Sequence, residues 1–436
     1  MLVVSAAVLH SYQTFFYRVT GERFSGDEVA PPVVYNKGMD SREHIRLTEA
    51  YSAHNYSPLE VVLARGEGVW VWDVEERRYL DMLSAYSALN FGHGNPRIRA
   101  AAHAQLDRLT LTSRAFFNDK LGLVCERLAK LCRLDTVLLM NSGAEAVETA
   151  IKAVRKWGYE VKGIPDNTAE IICLDQNFSG RTTTIISFSS SPSARHHFGP
   201  FTPGFVVVPY GDITALERAM TSRTVAVLIE PIQGEAGIIV PPAGYLKSVE
   251  AACRARNVLL IADEIQTGLC RTGAVFACDH EGVQPDLFTI GKSLGGGILP
   301  ISAVIGRRDV MAVFTPGTHG STFGGNPLAC AVALEVLSLI ADERPHERAA
   351  ELGAYLLEGL RELKSPRVTA IRGKGLFVGV DIDPSYGPAK GVCHDLLARG
   401  VLCKDTRVQT LRLAPPLCIE RSELTWAIEQ LAAVLR

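Results

Sequence analysis

A chain of 436 residues with a formal net charge of −2 has no basic field for holding nucleic acid or an acidic membrane. With 47% hydrophobic and 21% charged residues it reads as an ordinary globular protein, and its length calls for one large core and a smaller lobe. Ten scattered cysteines without a CxxC pair indicate neither a metal site nor a disulfide framework, and favour a reducing compartment.

Residues 1–39 read as an extension. The apolar run 3–9 has no basic flank, which makes it a poor signal peptide, and it is far too short to span a bilayer. Arg18 and Arg23 are too few, and Glu22 and Asp27 too close, for a mitochondrial presequence, so the cytoplasm is expected rather than the mitochondrial matrix. Residues 21–37 read as a linker or extended arm, and Met39 is an alternative start. Residues 40–73 should form an arm and a small sheet belonging to the smaller domain. Residues 74–315 alternate strands with helices: 137–140, 171–175, 205–208, 225–230, 258–263, 287–290 and 301–305 read as strands, which implies an α/β fold with a mainly parallel sheet covered by helices on both faces. Residues 316–344 hold a loop and a bridging helix at 326–340. Residues 345–436 run helix, strands and helix, and complete the smaller α+β domain.

Three strand ends carry ionisable residues. The lysine of LFTIGKSLGGG, Lys292, has no charged neighbour in sequence closer than Asp286 and Arg307. Alone it reads as a surface lysine at the end of a strand. Buried, it would lose basicity and become a nucleophile able to form a Schiff base. VLLIADEIQTG ends its apolar run at Asp263, and AVLIEPIQGEAG ends at Glu230. Ligands of open α/β sheets bind beyond the carboxyl ends of such strands. Single acids there are often structural. An amine and carboxylates together fit pyridoxal phosphate, whose aldehyde needs a lysine and whose ring nitrogen needs an acid. After strand 137–140, Ser142 and Glu145 have capping-box spacing, and Gly143 opens a helix bearing Val147, Ala150, Ile151 and Val154 on one face. This is a helix N-terminus able to favour an anion, without the spacing of a nucleoside-triphosphate or dinucleotide loop.

With these residues in view, the chain resembles the class III aminotransferases of the fold-type I pyridoxal-phosphate enzymes. The likeness runs from about Leu47 to Pro416 and rests on EPIQGEAG, ADEIQTG and the GK lysine. LSAYSALNFGHGNP, HGSTFGGNP and LRLAPP add to it, and YSAHNYSPLEVVL, LTLTSRAFFND and RKWGYEVKGI narrow it to the branch that acts on ornithine. The resemblance implies a seven-stranded sheet and a homodimer, with higher assembly left open. It makes Lys292 the imine-forming lysine and proton shuttle, Asp263 the partner of the ring nitrogen, and Gln266 that of the phenolic oxygen. It makes Phe178 the residue stacked on the ring, with phosphate contacts from Ser142, Gly143 and Ala144 and, across the subunit boundary, from Thr322 with Ser321. Ser179 departs from the pattern, because class III chains usually carry a larger residue there.

For substrates the resemblance implies L-ornithine and 2-oxoglutarate, giving L-glutamate 5-semialdehyde and L-glutamate and so linking arginine and proline metabolism. Tyr56 would contact the α-amino group, Arg181 the α-carboxylate, and Tyr86 would shape the pocket. Glu235 would pair with Arg412 while ornithine is bound and swing aside for the ketoacid, since a free arginine beside methylenes would be a costly unpaired charge. Other class III transaminases, acting on N-acetylornithine, 4-aminobutyrate or lysine, remain as alternatives. Tyr56 argues against the acetylated substrate, which carries no positive charge on its α-nitrogen. An aminomutase would have no purpose for Glu235 and Arg412, and a binding protein on a retained fold none for the intact set of Lys292, Asp263, Gln266 and Arg181.

Overall fold

A computed structural model describes residues 38–436, which divide into two units between Val62 and Leu63. All but the last two residues of the expected extension 1–39 lie outside the described residues. The first unit contributes the helix Ser41–Tyr51, started by Asp40, whose carboxylate accepts the Glu43 amide at 3.0 Å. Irregular chain follows it, including Tyr56, whose side chain is exposed.

The second unit, Leu63–Arg436, opens with an antiparallel ribbon of β1 (Leu63–Glu67), β2 (Trp70–Asp73) and β3 (Arg78–Asp81). Its main sheet has seven strands: β4 (Thr136–Met140), β5 (Glu170–Leu174), β6 (Phe205–Val208), β7 (Thr224–Ile229), β8 (Leu259–Asp263), β9 (Leu287–Ile290) and β10 (Ser302–Gly306). Their order is β4-β10-β9-β8-β7-β5-β6. Every residue of β7, β8, β9 and β10 is buried, which is why these segments read as unbroken apolar runs instead of alternating ones. The pairs among β5 to β9 are parallel. β10 runs antiparallel to both of its neighbours, a reversal that strand–helix alternation alone does not disclose. The link between β9 and β10 holds only the short turn Lys292–Gly295, too little chain for a parallel crossover.

The helix Gly143–Glu160 lies on this sheet. Val147, Ala150, Ile151 and Val154, placed on one face by their spacing, are all buried and share a cluster with Val225, Leu228, Ile261 and Leu287. The bridging helix runs Pro327–Glu343, with the Asn326 side chain accepting the Ala329 amide at 2.8 Å, and so extends past the expected residue 340. Beyond it, β11 (Val368–Lys374), β12 (Phe377–Ile382), β14 (Lys404–Thr406) and β15 (Thr410–Leu413) form an antiparallel sheet. β13 (Val401–Leu402) pairs with β3 in parallel and ties the C-terminal part to the ribbon. Among the described residues no helix is long and apolar enough to cross a membrane.

Candidate active site

The segments that follow β4, β5, β7, β8 and β9 leave the same edge of the sheet and wall one pocket that is open to solvent. Gly143 and Ala144 come from the first, Phe178, Ser179 and Gly180 from the second, Glu230 and Glu235 from the third, Asp263 and Gln266 from the fourth, and Lys292 from the fifth. Residues nearly 150 positions apart in the chain thus converge at the edge where ligands of such sheets bind.

Asp263 is buried, and three donors hold its carboxylate: the Ile265 amide at 3.2 Å and Thr289 Oγ1 at 3.1 Å on Oδ1, and Ser179 Oγ at 2.8 Å on Oδ2. Burial still pushes its pKa above the usual carboxylate value. Lys292 opens its turn with φ 44°, a left-handed conformation that few residues other than glycine adopt. Burial lowers the pKa of its ammonium, while Asp263, Glu235 and Glu230 work in the opposite direction. Isolated in sequence, Lys292 therefore has three acids around it in space. Glu230 accepts the Phe178 amide at 2.8 Å, and burial, reinforced by the charge of Asp263, raises it to about 8.

The helix start after β4 is formed as its sequence implies. Ser142 caps the helix Gly143–Glu160 with a complete capping box: its Oγ accepts the Glu145 amide at 3.2 Å, and Glu145 accepts the Ser142 amide at 2.7 Å. A Cβ on Gly143 would stand 3.0 Å from Ile265, so glycine lets the helix start pack closely against the segment after β8. Ser142 and Gly143 also line an adjoining pocket with Ala85 and Lys292. Ser321 accepts Asn141 Nδ2 at 2.8 Å beside this helix start, and Thr322 is exposed.

Glu235 and Arg412 form a two-pronged ion pair at 2.6 and 2.8 Å, and Gln266 Nε2 donates to Glu235 at 3.4 Å. The Arg412 guanidinium lies 5.1 Å from the centre of the Tyr86 ring. Arg181 is exposed, 5.6 Å over the ring of Phe178. Tyr56 belongs to the first unit.

Several structural features around the pocket go beyond what the sequence disclosed. Ser179 and Thr289 hold Asp263 as described. The turn Ser84–Ser87, which bears Tyr86, is left-handed at four successive residues without a glycine. Arg271 is fully buried and donates to Asn90 Oδ1 and to the carbonyls of Leu376 and Pro415, tying that region to the chain that follows β15. Among the described residues no cluster of ligands could hold a metal ion.

A buried amine, buried carboxylates and a capped helix start in one pocket, with an arginine paired to a carboxylate of its wall, suit an amino-group-transferring enzyme. Residues 51–435 match the aminotransferase class-III family, and the chain belongs to it. Among relatives, an ornithine aminotransferase from Bordetella pertussis is 56% identical over 89% of this chain and 95% of its own length. The structure of an ornithine aminotransferase from Toxoplasma gondii superposes with a TM-score of 0.90 at 47% identity, covering 91% of this chain and 94% of that one. An acetylornithine aminotransferase from Elizabethkingia anophelis superposes at 0.83 with 46% identity, over 91% and 99% of the two chains.

Proposed function

We propose that the chain transfers the δ-amino group of L-ornithine to 2-oxoglutarate, forming L-glutamate 5-semialdehyde and L-glutamate, with pyridoxal phosphate as cofactor. The residues present fit that cofactor. Lys292 supplies the amine for its aldehyde, and Asp263 keeps one acceptor position open for its ring nitrogen. The amides of Gly143 and Ala144 suit its phosphate, and Phe178 lines the same pocket. When bound, pyridoxal phosphate supplies a carbonyl for exchange with the substrate amine and a protonated ring that accepts electrons from the substrate carbon.

The protein's share is positioning and proton transfer. Burial favours the neutral form of Lys292, so its Nζ acts as nucleophile and then moves the proton released at the amine-bearing carbon. Glu230 holds the backbone of Phe178 against the pocket. Arg181, at the rim, offers a planar fork for the α-carboxylate of ornithine. Glu235 masks Arg412 while the methylenes of ornithine lie beside it, and releases it to a carboxylate of 2-oxoglutarate.

The pair of Arg412 with Glu235, a carboxylate of the pocket wall, is the observation that carries the ornithine reading, since one site must serve a substrate without a carboxylate near the reacting carbon and another that has one. The Elizabethkingia neighbour keeps N-acetylornithine as the second reading. Absorbance scans with substrates added singly separate the two. L-Ornithine should bleach the cofactor band and 2-oxoglutarate restore it, whereas faster bleaching by N-acetylornithine transfers the chain to the second reading. A homodimer completes the proposal, with Thr322 serving the neighbouring site; the exposed Phe116, Phe117 and Phe323 supply apolar surface for it. All ten cysteines are unpaired, which suits the cytoplasm.

A further inference from the structure

We propose that Ser179 is a positioning residue for the ring nitrogen of pyridoxal phosphate: its hydroxyl holds Oδ2 of Asp263, so that the carboxylate meets the ring as an oriented anion. The inference rests on the cofactor reading above and assigns a role to a residue that reading does not use.

A carboxylate has about four acceptor positions, two on each oxygen. On Asp263 the Ile265 amide and Thr289 Oγ1 fill both positions of Oδ1, at 3.2 and 3.1 Å. Ser179 takes one position of Oδ2 with the shortest of the three bonds, 2.8 Å. The remaining position is therefore on Oδ2, and a ring N–H that pairs with Asp263 must share that oxygen with Ser179. The hydroxyl thereby sets both the direction and the basicity of the oxygen that faces the nitrogen.

The arrangement is built into the fold. Asp263 and Ser179 are 4% and 7% exposed, so water does not replace the bond freely. The chain carrying Ser179 is clamped on both sides. The amide of Phe178 is held by Glu230 at 2.8 Å, and Gly180, at φ 134°, packs so closely that a Cβ would lie 2.9 Å from Ile185 and 3.0 Å from Ala144. Thr289 stands on β9, Ile265 follows β8 and Ser179 follows β5, so three elements define the plane of the carboxylate. Removing the hydroxyl leaves Oδ2 without a protein donor and makes it the stronger base. A proton shared with the ring then moves from nitrogen towards oxygen, and the ring loses electron-accepting power.

Wild-type protein, Ser179→Ala and Ser179→Thr, each loaded with pyridoxal phosphate labelled with 15N in the ring, provide the test. Solid-state NMR reads the protonation of the nitrogen directly, and titration of the stripped proteins gives the cofactor dissociation constant. The alanine variant should move the resonance towards that of an unprotonated pyridine and weaken cofactor binding about tenfold, the usual scale for a buried hydrogen bond to a charge. The threonine variant, which keeps the hydroxyl, should stay with the wild type. An unmoved resonance in the alanine variant overturns the proposal, as does a threonine variant that shifts as far as alanine. Failure of the wild type to bind the labelled cofactor shows as an absent resonance, and removes the cofactor reading together with this inference.

Discussion

Glu235 and Arg412 meet fork to fork, with Arg412 Nη1 and Nη2 donating to the two carboxylate oxygens at 2.6 and 2.8 Å. Arg412 is 1% exposed, and its Nε is buried without a hydrogen-bond partner, so Glu235 carries nearly all of the charge compensation. Burial acts to raise the pKa of Glu235, but the bonds and charge of Arg412 outweigh it and leave the carboxyl below its usual value. Replacing Glu235 by alanine strands a buried guanidinium and should cost about 3 kcal/mol, seen as a lower denaturation midpoint. The freed arginine should also draw in α-carboxylates, raising kcat/KM for L-glutamate relative to L-ornithine about tenfold or more. An unchanged ratio of the two would remove the switch from the mechanism.

Glu230 makes stability depend on pH in an unusual direction. Its folded pKa of about 8 lies above the 4.5 of an unperturbed glutamate. Between these values the folded state keeps the proton and the unfolded state releases it, so stability falls as pH rises, by about 1.4 kcal/mol per unit. Below the unfolded pKa both states are protonated and the contribution is complete; above the folded pKa it is lost. Glu230→Gln, a permanent mimic of the neutral acid, should abolish this slope and exceed the wild type in stability near the upper end of the window. Thermal midpoints of the cofactor-free proteins across that window check it, and parallel curves would show that Glu230 ionises as readily when folded as when unfolded.

The sheet was legible in the sequence because its strands are apolar on both faces, and the strand ends at Glu230, Asp263 and Lys292 mark where those runs stop. The helix start at Ser142 was legible through its capping spacing. The direction of β10 was not, since it depends on how little chain follows Lys292 and not on the strand's own residues. Ser179 showed in sequence only as an oddity, because its bond to Asp263 joins residues 84 positions apart. The turn Ser84–Ser87 gave no signal at all: left-handed backbone is announced by glycine or asparagine, and neither occurs within it.

Gly234 supports the site through what it lacks. A Cβ there would lie 1.5 Å from Gln266 Oε1 and 3.2 Å from the ring of Phe377. Gly234→Ala must therefore push Gln266 off Glu235, with an overpacking cost of about 1–3 kcal/mol. Cofactor affinity should fall together with stability, since Gln266 lines the cofactor pocket. Titration of the stripped variant measures it, and wild-type affinity would show that Gln266 has another place to go.

The turn Ser84–Ser87 stores strain beside Arg412. Ser84, Ala85, Tyr86 and Ser87 have φ of 51°, 46°, 60° and 71°, a conformation costing about 1–2 kcal/mol for each L-residue. Asp81 holds the turn at its start, accepting the Leu83 and Ser84 amides at 2.8 Å, and Ser84 Oγ closes it by donating to the Ala414 carbonyl at 2.6 Å. Tyr86 is thereby held against the guanidinium of Arg412. Ala85 is exposed, so its methyl contributes little packing to set against the strain. Ala85→Gly should therefore stabilise the folded protein by about 1 kcal/mol, the reverse of the usual effect of glycine in a helical segment. Asp81→Ala should act in the opposite sense, lowering stability and weakening 2-oxoglutarate binding as Tyr86 leaves Arg412. Denaturation midpoints of the two variants decide the matter: a destabilising Ala85→Gly means that the backbone is at ease in this turn, and that Tyr86 is placed by its own packing instead.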